Sequence, residues 1–399
     1  MVKKRAAVPR AGAGTLLTLI RTGRASTRAD LVRLSGFARS TVAQRLDALL
    51  EAGLIVPAGD AGSTGGRPPE TFAFNRHAGV LLGADIGGSH TRVAVTDLAA
   101  DVLAETEADL DVADGPDAVL SWVTEAFARL LARVGRETAD VRGVGVGVPG
   151  PVDGTGRLVS PPIMPDWDGV SVPERVSRAL FKGAAEEMGE DVPVVVDRDV
   201  NIMALGEQKA GGHDHADMVV VKIGIGIGAG LIVGGEIYRG AQGAAGDLGH
   251  LRRGTDEPCR CGNRGCLEAT AGGWAIRRRL VERGYDVRTS QDIARLARRG
   301  DHETVRLVRQ AGRLIGEALA DVVGLFNPSH IIIGGNLAEA REPLLAGIRE
   351  VVYERAQVLA SRDLQIVPTT LGHRAGTIGA ALLVHERLYD ADRISAALG

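Results

Sequence analysis

Twice along this chain an apolar run breaks on closely spaced glycines and then resumes. The first case is Val80–Ser89 followed by His90–Asp97, and the second is Val219–Val233, with glycines at 224, 226, 228 and 230. Each reads as a strand, a tight turn and a returning strand. Each also opens a half of alternating strand-like and helix-like patterns, which predicts a duplicated α/β fold with a cleft between two lobes. We expect this body over residues 78–399, with the lobes meeting near residues 200–215. Asp85, beside the first turn, is placed to hold a metal ion or its waters. Gly87, Gly88 and Ser89 in that turn, with Gly224 and Gly226 in the second, would let backbone amides meet a phosphate. Any tight hairpin carries such glycines, so this signal by itself is weak.

Between the hairpins lie Val144–Asp153 and Val194–Asn201. The latter reads as a buried strand, a charged loop and a helix from about Ile202. Asp199 at that strand end is placed to accept a proton from a hydroxyl group. Its plainer reading is a helix cap.

All three cysteines fall within one short segment, His250-x8-Cys259-x-Cys261-x4-Cys266. Three thiolates and one imidazole suit tetrahedral zinc, and Gly262 and Gly265 permit the tight loop. Nothing in the segment suggests a metal-bound water, so the zinc is expected to be structural, one ion per chain. A tight cluster without scattered pairs also points to a reducing compartment. No run of about 18 apolar residues appears. The basic stretch 1–11 reads as a loose arm without the apolar core of a signal peptide, so a cytoplasmic protein is expected.

The formal net charge is −3, yet residues 1–50 carry ten Lys/Arg against two Asp. A basic head on an acidic body suggests a nucleic-acid-binding module, with a solubilising terminus as the alternative. Residues 12–77 have the order expected of a winged helix-turn-helix. Thr15–Arg21 is a short apolar helix. Thr27 and Asp30 then resemble a capping box, with Leu31 and Leu34 facing inward. Gly36-Phe37 makes the turn. In Arg39–Leu50, Val42, Leu46, Leu49 and Leu50 share one helical face. The other face offers Arg39, Ser40, Thr41, Gln44 and Arg45, the residue types that read base edges and hold phosphates. Ala38 stands where a capping Ser is expected. Two short strands, Leu54–Val56 and Thr71–Phe74, flank the Gly/Pro-rich segment 62–69, a wing whose Arg67 would reach a minor groove. A helical docking domain that never touches DNA is the competing reading.

Taken together, these motifs resemble the ROK family (repressor, open reading frame, kinase) from about Thr15 to Leu383. The resemblance rests on Gly83–Ser89, Gly147–Asp153, Asp199-Val-Asn201 leading into Ala204–Glu207, Tyr238-Arg-Gly240, Gly246–His250, Cys259–Glu268 and Ile331–Gly335. It implies an actin/hexokinase-like body, with Asp199 at the position of the kinases' catalytic base. It also implies that His250 and Glu268 contact sugar hydroxyls, together with Arg198, Asp199 and Asp247. His250 would bind zinc with one ring nitrogen and sugar with the other. Three departures stand out. Arg198 replaces the usual Asn, Asp247 the usual Glu, and Ile225 a Thr whose hydroxyl serves the nucleotide phosphates. They weigh against ATP and Mg2+ more than against sugar. The winged helix points to the regulator branch. The expected protein is a sugar-responsive transcription regulator, a repressor of carbohydrate-utilisation genes, bound to a palindromic DNA operator as a homodimer or homotetramer. Arg198 favours an anionic effector such as a sugar phosphate unless it pairs with Asp197 or Asp199. An ATP-dependent sugar kinase with a regulatory head, and a regulator with a vestigial pocket, are the alternatives.

Overall fold

The computed structural model describes residues 12–60, 69–182, 192–213 and 215–398. The expected basic arm, Arg67 and most of the Gly/Pro-rich segment lie outside the described residues. The head contains α1 (Ala13–Arg21), α2 (Arg28–Ser35) and α3 (Arg39–Glu51), then an antiparallel pair, β1 (Ile55–Asp60) and β2 (Glu70–Phe74). Helix α2 starts where the Thr27 hydroxyl accepts the Asp30 amide at 3.1 Å. Asp30 does not return to the Thr27 backbone. Its carboxylate accepts from the Thr27 hydroxyl at 2.8 Å and pairs with Arg33, so only half of a capping box forms. Gly36, at φ 73°, takes the left-handed conformation that ends α2. Leu31 is buried, whereas Leu34, expected inside, is 37% exposed because this short helix buries a single residue. Helix α3 begins at Ala38 without a side-chain cap.

The first lobe has β3 (Val80–Ile86), β4 (Thr91–Asp97) and β5 (Val102–Ala108), then α4 (Pro116–Arg133), β6 (Val141–Val148), α5 (Val172–Leu180) and β7 (Val194–Arg198). Its sheet order is β5-β4-β3-β6-β7. Helix α6 (Asp199–Lys209) follows. The second lobe opens with β8 (Met218–Ile223), β9 (Ile227–Val233) and β10 (Glu236–Ile237). Then come α7 (Leu267–Ala271), α8 (Gly273–Val281), α9 (Ser290–Arg298), α10 (His302–Phe326), β11 (His330–Gly334), α11 (Glu342–Arg355), α12 (Val358–Ser361) and β12 (Gln365–Pro368). Its order is β10-β9-β8-β11-β12. In both sheets three antiparallel strands are extended by two parallel ones. The duplicated α/β plan read from the two glycine-rich hairpins is therefore the observed one.

The chain closes with α13 (Ala375–Leu388) and α14 (Ala391–Ala397). Helices α6 and α13 touch backbone to backbone. A Cβ at Gly379 would fall 1.7 Å from the Ile202 carbonyl oxygen, and one at Gly206 2.2 Å from that of Ala375. Only glycine permits that approach, which locks the helix beginning at Asp199 to α13. The far part of α13 meets the head. Leu16, Leu17, Leu46 and Phe72 share one core with Ala381, Val384, Tyr389 and Ile394. His385 is buried there, with Nδ1–H donating to the Leu98 carbonyl at 2.7 Å while Nε2 accepts from Arg21. Burial, then the Arg21 charge, depresses its pKa to about 3, so it stays neutral. Among the described residues no helix is long and apolar enough to cross a membrane.

Candidate ligand cleft and metal centre

The turns of the two hairpins face one another across the lobes and line a cavity of about 170 Å³. Gly87, Gly88 and Ser89 line it from the first lobe, and Gly224, Ile225 and Gly226 from the second. Arg198, Asp199, Asp247, His250 and Glu268 line it as well. Residues scattered over 180 positions of sequence thus meet because both sheets present the same edge of their hairpins to one gap.

Asp85 lies at the end of β3, and α13 begins above it. A Cβ on Gly376 would sit 2.1 Å from its carboxylate. The ammonium of Lys222, on β8 of the other lobe, lies 3.0 Å from Asp85 Oδ1 and 3.0 Å from Asp199 Oδ2. Burial works against that charge, but the carboxylates of Asp199 and Asp85 outweigh it and hold the Lys222 pKa above its ordinary value. Burial pushes the Asp199 pKa up, with Lys222 opposing. A second contact crosses the lobes close by, where His90 Nδ1 meets the Asn336 side-chain nitrogen at 3.2 Å. Burial, then Arg92, lowers the His90 pKa to about 4. The sequence reading missed Lys222, His90 and Asn336. For Lys222 a signal existed, because it is the single charged residue in Met218–Val233. A charge in such a buried strand requires partners.

The Glu268 carboxylate, in the first turn of α7, is 5% exposed. It accepts from the Ile227 amide at 3.0 Å and pairs with Arg260 at 3.3 Å. Asp247 is exposed at the cavity wall. Arg198 pairs with neither neighbouring aspartate through its guanidinium. It donates to the Ala245 carbonyl at 2.7 Å, while Asp197 is held by Arg239 at 2.7 Å and by Asn201 at 2.6 Å.

Beside Glu268, His250, Cys259, Cys261 and Cys266 present ligand atoms that all lie within 4.8 Å of one another. His250 Nδ1 is 3.7 Å from Cys259 Sγ, and Cys261 and Cys266 are 3.7 Å apart at sulfur. A tetrahedral ion at about 2.3 Å from each sulfur sets sulfurs roughly 3.8 Å apart, which the Cys261–Cys266 pair matches, and all four donors are near enough to share one ion. Burial, then neighbouring thiols, pushes the Cys266 thiol up to about 12, a crowding that a divalent cation would relieve. Nδ1 is the His250 nitrogen that faces the cysteines, so an ion held through it would leave Nε2 as the other nitrogen of a side chain that also lines the cleft.

In the head, Arg39, Ser40 and Gln44 are exposed on the first turns of α3, and Thr41 is half-buried. Arg45 departs from the expectation that it reads bases. Its guanidinium donates to the Leu398 carbonyl at 3.1 Å, so the side chain is drawn back against the body by the segment that follows α14.

With a winged head, two hexokinase-like lobes and a Cys/His centre on the cleft, the structure defines a class, a helix-turn-helix module joined to a sugar-kinase-like body. Residues 81–387 match the ROK family, and the chain belongs to it. It is 28% identical to the xylose repressor of Bacillus spizizenii, over 91% of this chain and 92% of that one. A solved ROK family transcriptional regulator, homologous to the E. coli MLC protein, superposes with TM-score 0.78 at 27% identity, covering 97% of this chain and 98% of its own. A ROK glucokinase from Streptomyces griseus, solved with glucose and AMPPNP, gives TM-score 0.64 at 29% identity, over 76% of this chain and 99% of its own.

Proposed function

We propose that this protein is a DNA-binding transcription regulator, a repressor of carbohydrate-utilisation genes whose effector is a sugar held between the lobes. The observation that carries this reading is the reach of the regulator matches, which span 91% and 97% of the chain and so take in the head. Arg39, Ser40, Thr41 and Gln44 contact a duplex operator, with Arg67 at the minor groove. A two-fold homo-oligomer reads two half-sites. Asp199, Asp247, His250 and Glu268 supply paired acceptors and donors for sugar hydroxyls. Zinc is the ion held by His250, Cys259, Cys261 and Cys266. Its role is structural, keeping Glu268 and His250 in place against the cleft, and no chemical step passes through it. Such a regulator works in the cytoplasm.

Arg198 is bonded to the Ala245 carbonyl and Lys222 is paired with Asp85 and Asp199, so both of these cations are already engaged in a cleft that Asp247 and Glu268 also line. We therefore favour a neutral sugar over a sugar phosphate. For a sugar to act as effector it must bind one arrangement of the lobes better than another. Helix α6 begins at Asp199 and is locked to α13, which carries the head, so lobe movement reaches the DNA-binding surface through packed helices. The test pairs two assays on the intact protein. A coupled ATP assay with a panel of hexoses and pentoses should give no sugar-dependent ADP, and a gel shift should show operator binding altered by one of those sugars. Sustained ADP release would establish the kinase alternative. Binding of DNA with no response to any sugar would establish a vestigial pocket.

A further inference from the structure

We propose that Lys222 is the resident cation of the cleft, standing between Asp85 and Asp199 where a divalent ion would otherwise bind. This rests on the reading of the cleft as a sugar site that does not phosphorylate. Three observations meet in it. The ammonium lies 3.0 Å from an oxygen of each carboxylate, and 3.3 Å from the second oxygen of Asp85. The three side chains are nearly enclosed, at 16%, 7% and 14% exposure for Lys222, Asp85 and Asp199. They also come from three places in the fold, β3 of one lobe, β8 of the other, and the start of α6.

Two carboxylates facing one small gap, beside glycine turns, form the oxygen-donor arrangement that suits a hard divalent cation. Phosphoryl transfer needs such an ion to neutralise the nucleotide phosphates. In this chain a covalently tethered ammonium already satisfies both carboxylates. Lys222 donates hydrogen bonds and carries one charge, but it cannot coordinate phosphate and carboxylate together as a metal does. The strand that carries Lys222 runs on into the turn that holds Ile225, so the second hairpin offers a phosphate neither a free cation nor a side-chain hydroxyl. Lys222 thereby closes the nucleotide half of the cleft while leaving Glu268, His250 and Asp247 open to a sugar. The same ammonium joins the lobes, since Asp85 and Lys222 belong to different sheets. A ligand hydroxyl that engages Asp199 acts directly on that junction.

Manganese binding, read by electron paramagnetic resonance of the free ion, tests this on the zinc-loaded full chain. The parent protein should bind no Mn2+ at this site up to millimolar concentration. Lys222→Ala and the volume-conserving Lys222→Met, purified with Mn2+ present, should each gain one Mn2+ per chain at least tenfold tighter. Adding Asp85→Asn to Lys222→Met should abolish that gain while restoring charge balance, which provides a folded reference. Should the single variants be unstable, their thermal midpoints should rise with Mn2+ and that of the double variant should not. Parent protein binding Mn2+ as tightly as the variants would overturn the proposal. So would variants that gain neither the ion nor manganese-dependent stability. Sugar-induced thermal shifts of the parent are read separately, so a failed sugar assignment is distinguished from a failed cation assignment.

Discussion

The two hairpins occupy equivalent places in equivalent sheets, yet they give the cleft opposite characters. The turn after β3 ends on Gly87, Gly88 and Ser89, open to the cavity, with Asp85 behind it. The end of β8 places Lys222 against Asp85 and Asp199, and the turn that follows sets Ile225 between its glycines. A few angstroms away, the loop with the metal-ligand cluster keeps Glu268 and His250 lining the same cavity. On the proposed reading, one scaffold offers groups suited to hydroxyls at one end of the cleft and an ammonium held by two carboxylates at the other. Site chemistry is decided by a few side chains, and the fold leaves it open.

The largest effect is expected from the sugar end. Cys266→Ser removes a buried ligand and should lower metal content well below one ion per chain. The cost should be on the order of 5 kcal/mol of stability, with loss of the sugar response. Metal analysis and thermal melts check this. A variant that keeps its melting point and sugar response would remove the metal from the account of Glu268. The phosphate end should be indifferent to that change, so the contrast between the two ends would sharpen.

A second effect lies at the joint between head and body. His385 is neutral when folded, with its pKa lowered to about 3, while in the unfolded chain it titrates near the usual 6.5. The unfolded state therefore binds the extra proton between those values. The group's contribution is complete above pH 6.5 and is lost as pH falls toward 3, by about 1.4 kcal/mol per pH unit. Urea unfolding at pH 7.5, 5.5 and 4.5 should show this slope. His385→Gln should flatten it, and an unchanged slope would contradict the burial argument.

Next come the DNA contacts. Arg39→Ala and Gln44→Ala should each weaken operator binding by about 1–3 kcal/mol if they reach base edges. Arg45→Ala should act differently, lowering thermal stability through the lost Leu398 contact more than it relaxes base preference. Gel-shift titrations against operator and mutated operator separate the two behaviours. The smallest effect is a gain. Ala38→Ser supplies the missing cap of α3 and should stabilise the protein by about 0.5–1 kcal/mol in thermal melts.

The legible parts of this molecule were those written in local pattern. Helix α3 followed from the spacing of Val42, Leu46 and Leu49, and the duplicated sheets from paired glycine runs. The metal-ligand cluster followed from cysteine spacing, because a tetrahedral ion tolerates few spacings. Contacts made across the chain were not legible. Arg45 looked like its neighbours on α3, and nothing local could show that residue 398 would lie beside it. The Arg198 guanidinium had two adjacent aspartates and paired with neither, because Arg239 and Asn201 hold Asp197 and Lys222 holds Asp199. Lys222 was visible as an isolated charge in a buried strand, but its partners lie 137 and 23 positions away in sequence. Leu34 failed for the opposite reason, since periodicity does not reveal how much of a short helix a neighbour covers.

The most direct test of a sugar-responsive regulator is the coupling between its two ligands. A duplex selected by the protein from a random pool would be titrated by fluorescence anisotropy, with and without saturating xylose, glucose or N-acetylglucosamine. Calorimetry would then measure the active sugar against free and DNA-bound protein. We predict that one neutral sugar changes DNA affinity at least tenfold, and that DNA changes the affinity for that sugar by the same factor. A sugar that binds free and DNA-bound protein equally would contradict the account.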